Sequence, residues 1–186
     1  MICWKCHEAV QGPVCASCGA LQPPPPKPDY FAVLGLKRSY VLDRATLETA
    51  WRAVSRKVHP DRYAGKRALE RRMSLQWTAA VNEARRVLRD PESRAWYLAT
   101  GIPRPPERGA PALDPVFLEE MFELRFEAEA GDPEALERAR EIHTTLEAEI
   151  ARRFAAWSAG EGDLDAVPER LTRLRYLNSM LREHEA

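Results

Sequence analysis

Two groups of residues in this chain have the types and spacing to do chemistry. The first is Cys3-x-x-Cys6 with Cys15-x-x-Cys18, which together hold all four cysteines. A Cys-x-x-Cys pair can chelate from one tight turn. Two pairs complete a tetrahedron of thiolates, the closed structural set that Zn²⁺ favours. Gly19, directly after Cys18, eases the second turn. Two disulfides, an iron–sulfur cluster or a redox dithiol would use the same residues. Disulfides suit a secreted chain, and no basic n-region with an apolar h-region opens this one. A redox pair usually begins a helix in a larger fold, and four thiolates can also hold a cluster. One structural Zn²⁺ per chain is the expectation, and four cysteines leave His7 no vacancy. The second group is His59-Pro60-Asp61, an imidazole and a carboxylate around a proline. No Gly-rich phosphate loop and no nucleophile motif accompanies it, so neither group implies an enzyme.

The elements that must position these residues follow from periodicity and punctuation. Residues 1–20 carry little apolar content and need a staple to fold. Residues 23–28, Pro-Pro-Pro-Pro-Lys-Pro, favour polyproline II and form a semi-rigid spacer. Leu47, Ala50, Trp51, Val54 and Val58 recur at helical spacing behind Asp43, a plausible N-cap. Pro60 stops that helix by pushing residue 59 out of the helical region. Met73, Trp77, Ala80, Ala84 and Leu88 form a second stripe, and a shorter helix is expected over 91–99. Two antiparallel helices with an exposed loop place the tripeptide at a hairpin tip, with Trp51 and Trp77 in the hairpin core.

Gly101 and the prolines that follow cannot continue a helix. Beyond them three helices are expected. Asp114-Pro115 and Asp132-Pro133 read as N-cap and N1, Gly131 as a stop, and 160–163 as a turn. Leu136, Ala139, Leu146, Ile150, Phe154 and Trp157 mark the second of these helices. Val167, Leu171, Leu174, Leu177 and Leu181 mark the third. Helices of this length bury a core only as a bundle. The expected fold is all-α, with a four-cysteine zinc module at 1–22, a spacer at 23–28, a hairpin domain at 29–100, a linker at 101–112 and a three-helix bundle at 113–186.

With 186 residues the chain can build one or two small cores. Its formal net charge is zero, unevenly spread. Between 51 and 72 lie eight Lys or Arg against Asp61 and Glu70. Between 117 and 150 lie eleven Asp or Glu against Arg125, Arg138 and Arg140. Such runs are commonly solvated helix surface; here the positive run flanks the tripeptide. A zinc module beside basic helices invites a nucleic-acid reading. The neutral total, and Lys5 as the one Lys or Arg between Cys3 and Cys18, argue against it. No apolar run is long enough to span a bilayer.

The order Asp29-Tyr30-Phe31, Leu34-Gly35-Leu36, His59-Pro60-Asp61, Asn82-Glu83-Ala84 and Leu88-Arg89-Asp90-Pro91 resembles a J-domain. Tyr40-Val41-Leu42-Asp43, Arg94-Ala95-Trp96-Tyr97-Leu98, Phe117-Leu118-Glu119-Glu120-Met121, Glu123-Leu124-Arg125 and Leu174-Arg175-Tyr176-Leu177 narrow the likeness to the HscB type of J-protein. Cys3-Trp4-Lys5-Cys6 and Cys18-Gly19-Ala20-Leu21-Gln22 resemble its zinc-bearing branch. The resemblance implies a co-chaperone with two partners, a DnaK-type chaperone and an iron–sulfur cluster scaffold protein. It implies chaperone contact at His59, Pro60 and Asp61, with Arg52, Arg56, Lys57 and Arg62 as the attracting basic face. It implies scaffold contact at Leu118, Phe122, Glu123 and Tyr176. Leu118 and Phe122 lie four apart on one helical face, a spacing that ordinary core residues also show. Glu119 and Phe126 depart from the family pattern, in which an apolar and an acidic residue are common. A J-protein serving other clients is the alternative reading. The resemblance further implies a cytoplasmic protein, or a mitochondrial-matrix one if this is a processed eukaryotic chain. The cysteine module could cap the J-domain or join copies into a weak homo-oligomer.

Overall fold

The computed structural model describes residues 1–104 and 111–184. It divides into two compact units, Met1–Arg94 and Ala95–Ala186. In the first, the cysteine module folds as two turns of the same build. Cys3 N–H donates to Glu8 O and His7 N–H to Cys3 O, just as Cys15 N–H donates to Ala20 O and Gly19 N–H to Cys15 O. Single antiparallel bridges, Ile2 with Ala9 and Val14 with Leu21, close the two turns. The residue after each second cysteine is left-handed, Gly19 at φ 70° and His7 at φ 62°. Glycine adopts this freely, and histidine is among the side chains most often found there. The interior consists of Cys3, Val10, Cys15 and Ala20, with Cys6 and Cys18 against them. The cysteines are themselves the core, which is why so short a segment needs them.

A five-residue helix α1 (Tyr30–Leu34) is capped by Asp29, whose carboxylate accepts from Ala32 N–H at 2.9 Å. Helix α2 (Arg44–Val58) is capped by Asp43, which accepts from Thr46 N–H at 2.8 Å. A 3₁₀ turn (Pro60–Tyr63) leads to α3 (Ala68–Arg89), then α4 (Pro91–Thr100). Cross-links from Arg85 to Glu48, Trp51 to Asn82 and Ser74 to Val58 step evenly in opposite senses, so α2 and α3 are antiparallel. Leu47, Val58, Met73, Trp77, Val81 and Leu88 are buried. Trp51 is only half-buried: its indole donates to Asn82 Oδ1 at 3.0 Å and Arg85 lies 4.3 Å over its ring. It therefore lies on the helix seam, not in the hairpin core. Arg94 is buried, with Nε donating to Tyr40 O at 2.8 Å and a second donor on Leu88 O. One side chain thus ties the 36–43 loop to the end of α3.

The second unit contains α5 (Pro115–Glu129), α6 (Pro133–Ser158) and α7 (Val167–Glu183). Asp114 and Asp132 cap α5 and α6 with proline at the next position. Gly131, at φ 89°, follows the end of α5. Arg170–Glu149 and His143–Asn178 set α6 antiparallel to α7. Arg173 lies over Phe117 and Arg125 pairs with Glu183, so α5 and α7 run parallel. Phe117, Met121, Leu124, Ala139, Leu177 and Met180 share the core. On α6 the buried position is Ala135 and Leu136 is half-exposed; with Ala139, one turn on, it forms a row of small residues that lets neighbouring helices approach. The described fold is all-α apart from the two isolated bridges. Of the expected linker at 101–112, residues 105–110 lie outside the described residues.

Candidate functional site

In the cysteine module the four Sγ atoms lie within 4.8 Å of one another. Cys3 and Cys18 are 3.7 Å apart and Cys6 and Cys15 3.6 Å apart. A disulfide needs about 2.05 Å, so these are thiols. Sulfurs about 2.3 Å from a common centre in a tetrahedron have edges of about 3.8 Å. The donor set therefore fits one metal ion. Burial pushes Cys3 up, but the N–H groups of Cys6 and Lys5 and the neighbouring thiols outweigh it and bring it down to about 6. At Cys6 the N–H of Glu8 pulls down, yet burial and the three other thiols prevail and push it up to about 12. Cys15 is lowered, chiefly by the N–H of Cys18. Thiols this close cannot all ionise unless a cation neutralises them. His7 is exposed and outside the set.

The tripeptide sits where α2 ends, and helix ends leave carbonyls without partners. Here side chains supply them. Arg62 donates to Arg56 O at 3.3 Å, Tyr63 Oη to Lys57 O at 3.0 Å and Ser74 Oγ to Val58 O at 2.6 Å. Tyr63 and Ser74 are buried. His59 leaves the helix at ψ 134° ahead of Pro60. Its Nδ1 accepts the N–H of Asp61 at 3.3 Å, which leaves the proton of the neutral ring on Nε2. The His59 side chain is 54% exposed and that of Asp61 90%, with 3.4 Å between Nδ1 and the carboxylate. Pro60 is half-buried, while Arg52, Arg56, Lys57 and Arg62 are exposed. Arg56 and Lys57 also lie in the last turn, where cations suit the helix dipole.

On α5, Leu118 is 40% and Phe122 70% exposed, which rules out the ordinary core reading of both. Phe126, four residues on, is 67% exposed and extends the row, and Glu123 is exposed beside it. Phe117, Met121 and Leu124 take the buried side. Tyr176 is not on the outer row: it is half-buried, edge-on to Phe117 at 6.3 Å and 75°. Sequence reasoning missed Tyr63, Ser74 and the fully buried Gln22 as positioning residues. The signal for Ser74 was a polar residue between Met73 and Trp77 on an apolar stripe. No described helix is long and apolar enough to cross a membrane.

Residues 29–97 match the DnaJ domain family, and residues 113–185 match the HSCB C-terminal oligomerisation domain family. A helical hairpin displaying His-Pro-Asp at its tip, followed by this three-helix domain, defines a J-domain co-chaperone, a class of adaptors and not of enzymes. Co-chaperone protein HscB homolog of Bordetella avium is 43% identical over 133 residues, 66% of this chain and 79% of that one. Iron-sulfur cluster co-chaperone protein HscB of Mus musculus is 33% identical over 188 residues, 96% of this chain and 79% of that one. The crystal structure of human co-chaperone protein HscB superposes with a TM-score of 0.73 at 29% identity, covering 100% of this chain and 97% of that one. The chain belongs to the HscB family of co-chaperones.

Proposed function

We propose that this chain stimulates ATP hydrolysis by a DnaK-type chaperone and delivers to it a protein on which an iron–sulfur cluster is built. The observation that carries this is the tip: an imidazole and a carboxylate held outside, on a helix end whose carbonyls are plugged from within. The J-domain, residues 29–100, meets the chaperone through His59, Pro60 and Asp61. Arg52, Arg56, Lys57 and Arg62 attract its acidic surface. The C-terminal domain, residues 113–186, meets the scaffold through Leu118, Phe122 and Glu123, with Tyr176 supporting α5 from α7. Residues 1–22 hold one structural Zn²⁺ through Cys3, Cys6, Cys15 and Cys18. Residues 23–28 and 101–112 link the parts. The chain acts in the cytoplasm, or in the mitochondrial matrix if it is a processed eukaryotic protein. A pull-down from native lysate tests the reading. The parent should recover a DnaK-type ATPase and a cluster scaffold, and a Leu118→Ala, Phe122→Ala variant should lose the scaffold alone. Recovery of neither from the parent would contradict the proposal.

A further inference from the structure

Gln22 is the fully buried polar side chain of the cysteine module, and every polar atom of its amide has a partner. Nε2 donates to Cys3 Sγ at 3.3 Å and to Ala20 O at 2.8 Å. Oε1 accepts the N–H of Trp4 at 3.2 Å. The Trp4 indole in turn donates to Leu21 O at 2.7 Å. The main chain of Gln22 is equally committed. Its N–H donates to Pro13 O at 2.8 Å, and its carbonyl accepts the indole N–H of Trp77 at 2.6 Å. Trp77 is buried on α3, one turn beyond Ser74, whose hydroxyl plugs the last carbonyl of α2. One residue therefore touches a candidate metal ligand with its side chain and the tripeptide-bearing hairpin with its backbone.

We propose that Gln22 is an outer-sphere positioning residue of the metal centre, and that its hydrogen bond from Trp77 couples metal loading to the order of α3. The amide N–H stabilises the Cys3 thiolate and aims it at the centre, as hydrogen-bond donors to metal ligands do elsewhere. Binding free energy in a module of this size is folding free energy. Metal loading therefore fixes the Gln22 carbonyl and with it the partner of a buried indole. Loss of the metal frees that carbonyl and leaves a buried N–H unpaired, which a packed helix resists. By linkage the effect is reciprocal: a hairpin that holds Trp77 in place raises metal affinity. The module in this account caps the J-domain.

The inference rests on the metal reading of the four cysteines, and the test separates the two. Zn²⁺ affinity is measured by competition with a chromophoric chelator, using the full chain, Gln22→Ala and Gln22→Met. Methionine keeps the length and apolar bulk and lacks the N–H donor. Both variants should bind about 10- to 100-fold more weakly. The Co²⁺-loaded Gln22→Met protein should show a shifted thiolate charge-transfer band. Stripping metal from the parent should move the Trp77 indole N–H resonance and lower amide protection along α3. In Trp77→Phe the α3 amides should ignore the metal. If Gln22→Met binds as tightly as the parent with an unshifted band, or if stripping leaves Trp77 and α3 unmoved, the inference is wrong while the metal reading survives. If the parent binds neither Zn²⁺ nor Co²⁺ in stoichiometric amount, the metal reading fails and takes this inference with it.

Discussion

His59 uses Nδ1 on the backbone of Asp61, leaving Nε2–H and the Asp61 carboxylate for a partner. His59→Gln should keep thermal stability within about 0.5 kcal/mol of the parent, as exposed substitutions do, and should abolish stimulation of the chaperone. A thermal melt and a single-turnover assay on the same sample read both. Ser74 is the contrasting case. Ser74→Ala strands the Val58 carbonyl inside the hairpin and should cost about 1–3 kcal/mol in a denaturant titration. An unchanged midpoint would mean that water replaces the hydroxyl. The two residues also differ in how far the sequence disclosed them. His59 stands in a three-residue pattern with its own neighbours. Ser74 bonds a carbonyl sixteen positions away, which no local pattern encodes. Gln22 and Trp77 are 55 positions apart and equally hidden.

Helix α5 carries two faces that helical spacing does not tell apart and burial does. Helical spacing puts Leu118 with Phe122 and Phe117 with Met121 and Leu124, and both rows look like core. The bundle takes the second row and leaves the first outside. Leu118→Ala with Phe122→Ala should therefore leave the melting curve nearly unchanged. It should weaken scaffold binding by more than about 30-fold, equivalent to about 2 kcal/mol. A folded double variant that binds the scaffold as tightly as the parent would move the docking face elsewhere. The cysteine turns make a pH prediction. At neutral pH Cys3, lowered to about 6, is largely ionised, and Cys6, raised to about 12, is protonated. A metal ion must displace the Cys6 proton, and below pH 6 that of Cys3 as well. Apparent Zn²⁺ affinity should rise with pH and steepen below about 6, with proton release measurable in buffers of different ionisation enthalpy. A flat profile would contradict a thiolate site. His7→Gly should bind metal at least as well as the parent, because glycine accepts φ 62° without strain.

Across the chain the charges divide as the proposed work divides, with a basic run beside the tripeptide and an acidic run on α5 and α6. Steering by exposed charge fades as the Debye length shrinks from about 30 Å at 0.01 M to about 8 Å at 0.15 M salt. The association rate with the chaperone should fall on the order of tenfold over that range, and scaffold docking on the apolar row of α5 should change far less. The order of the six longer helices, the aspartate caps of α2, α5 and α6 and the cysteine set were legible because each rests on local spacing; the five-residue α1 behind Asp29 was too short to show a period. The plugs at the end of α2 and the seat of Trp51 were not, because tertiary packing decides them; spacing left the outward row of α5 open, and the family resemblance alone pointed to Leu118 and Phe122.

The most direct test of the account is single-turnover hydrolysis of ATP by the DnaK-type chaperone from the same cell. It is measured alone, with this chain, and with this chain plus the cluster scaffold. The chain should accelerate hydrolysis, the scaffold should accelerate it further, and His59→Gln should give no acceleration. An unchanged rate with the parent, or equal acceleration by His59→Gln, would contradict the proposed function.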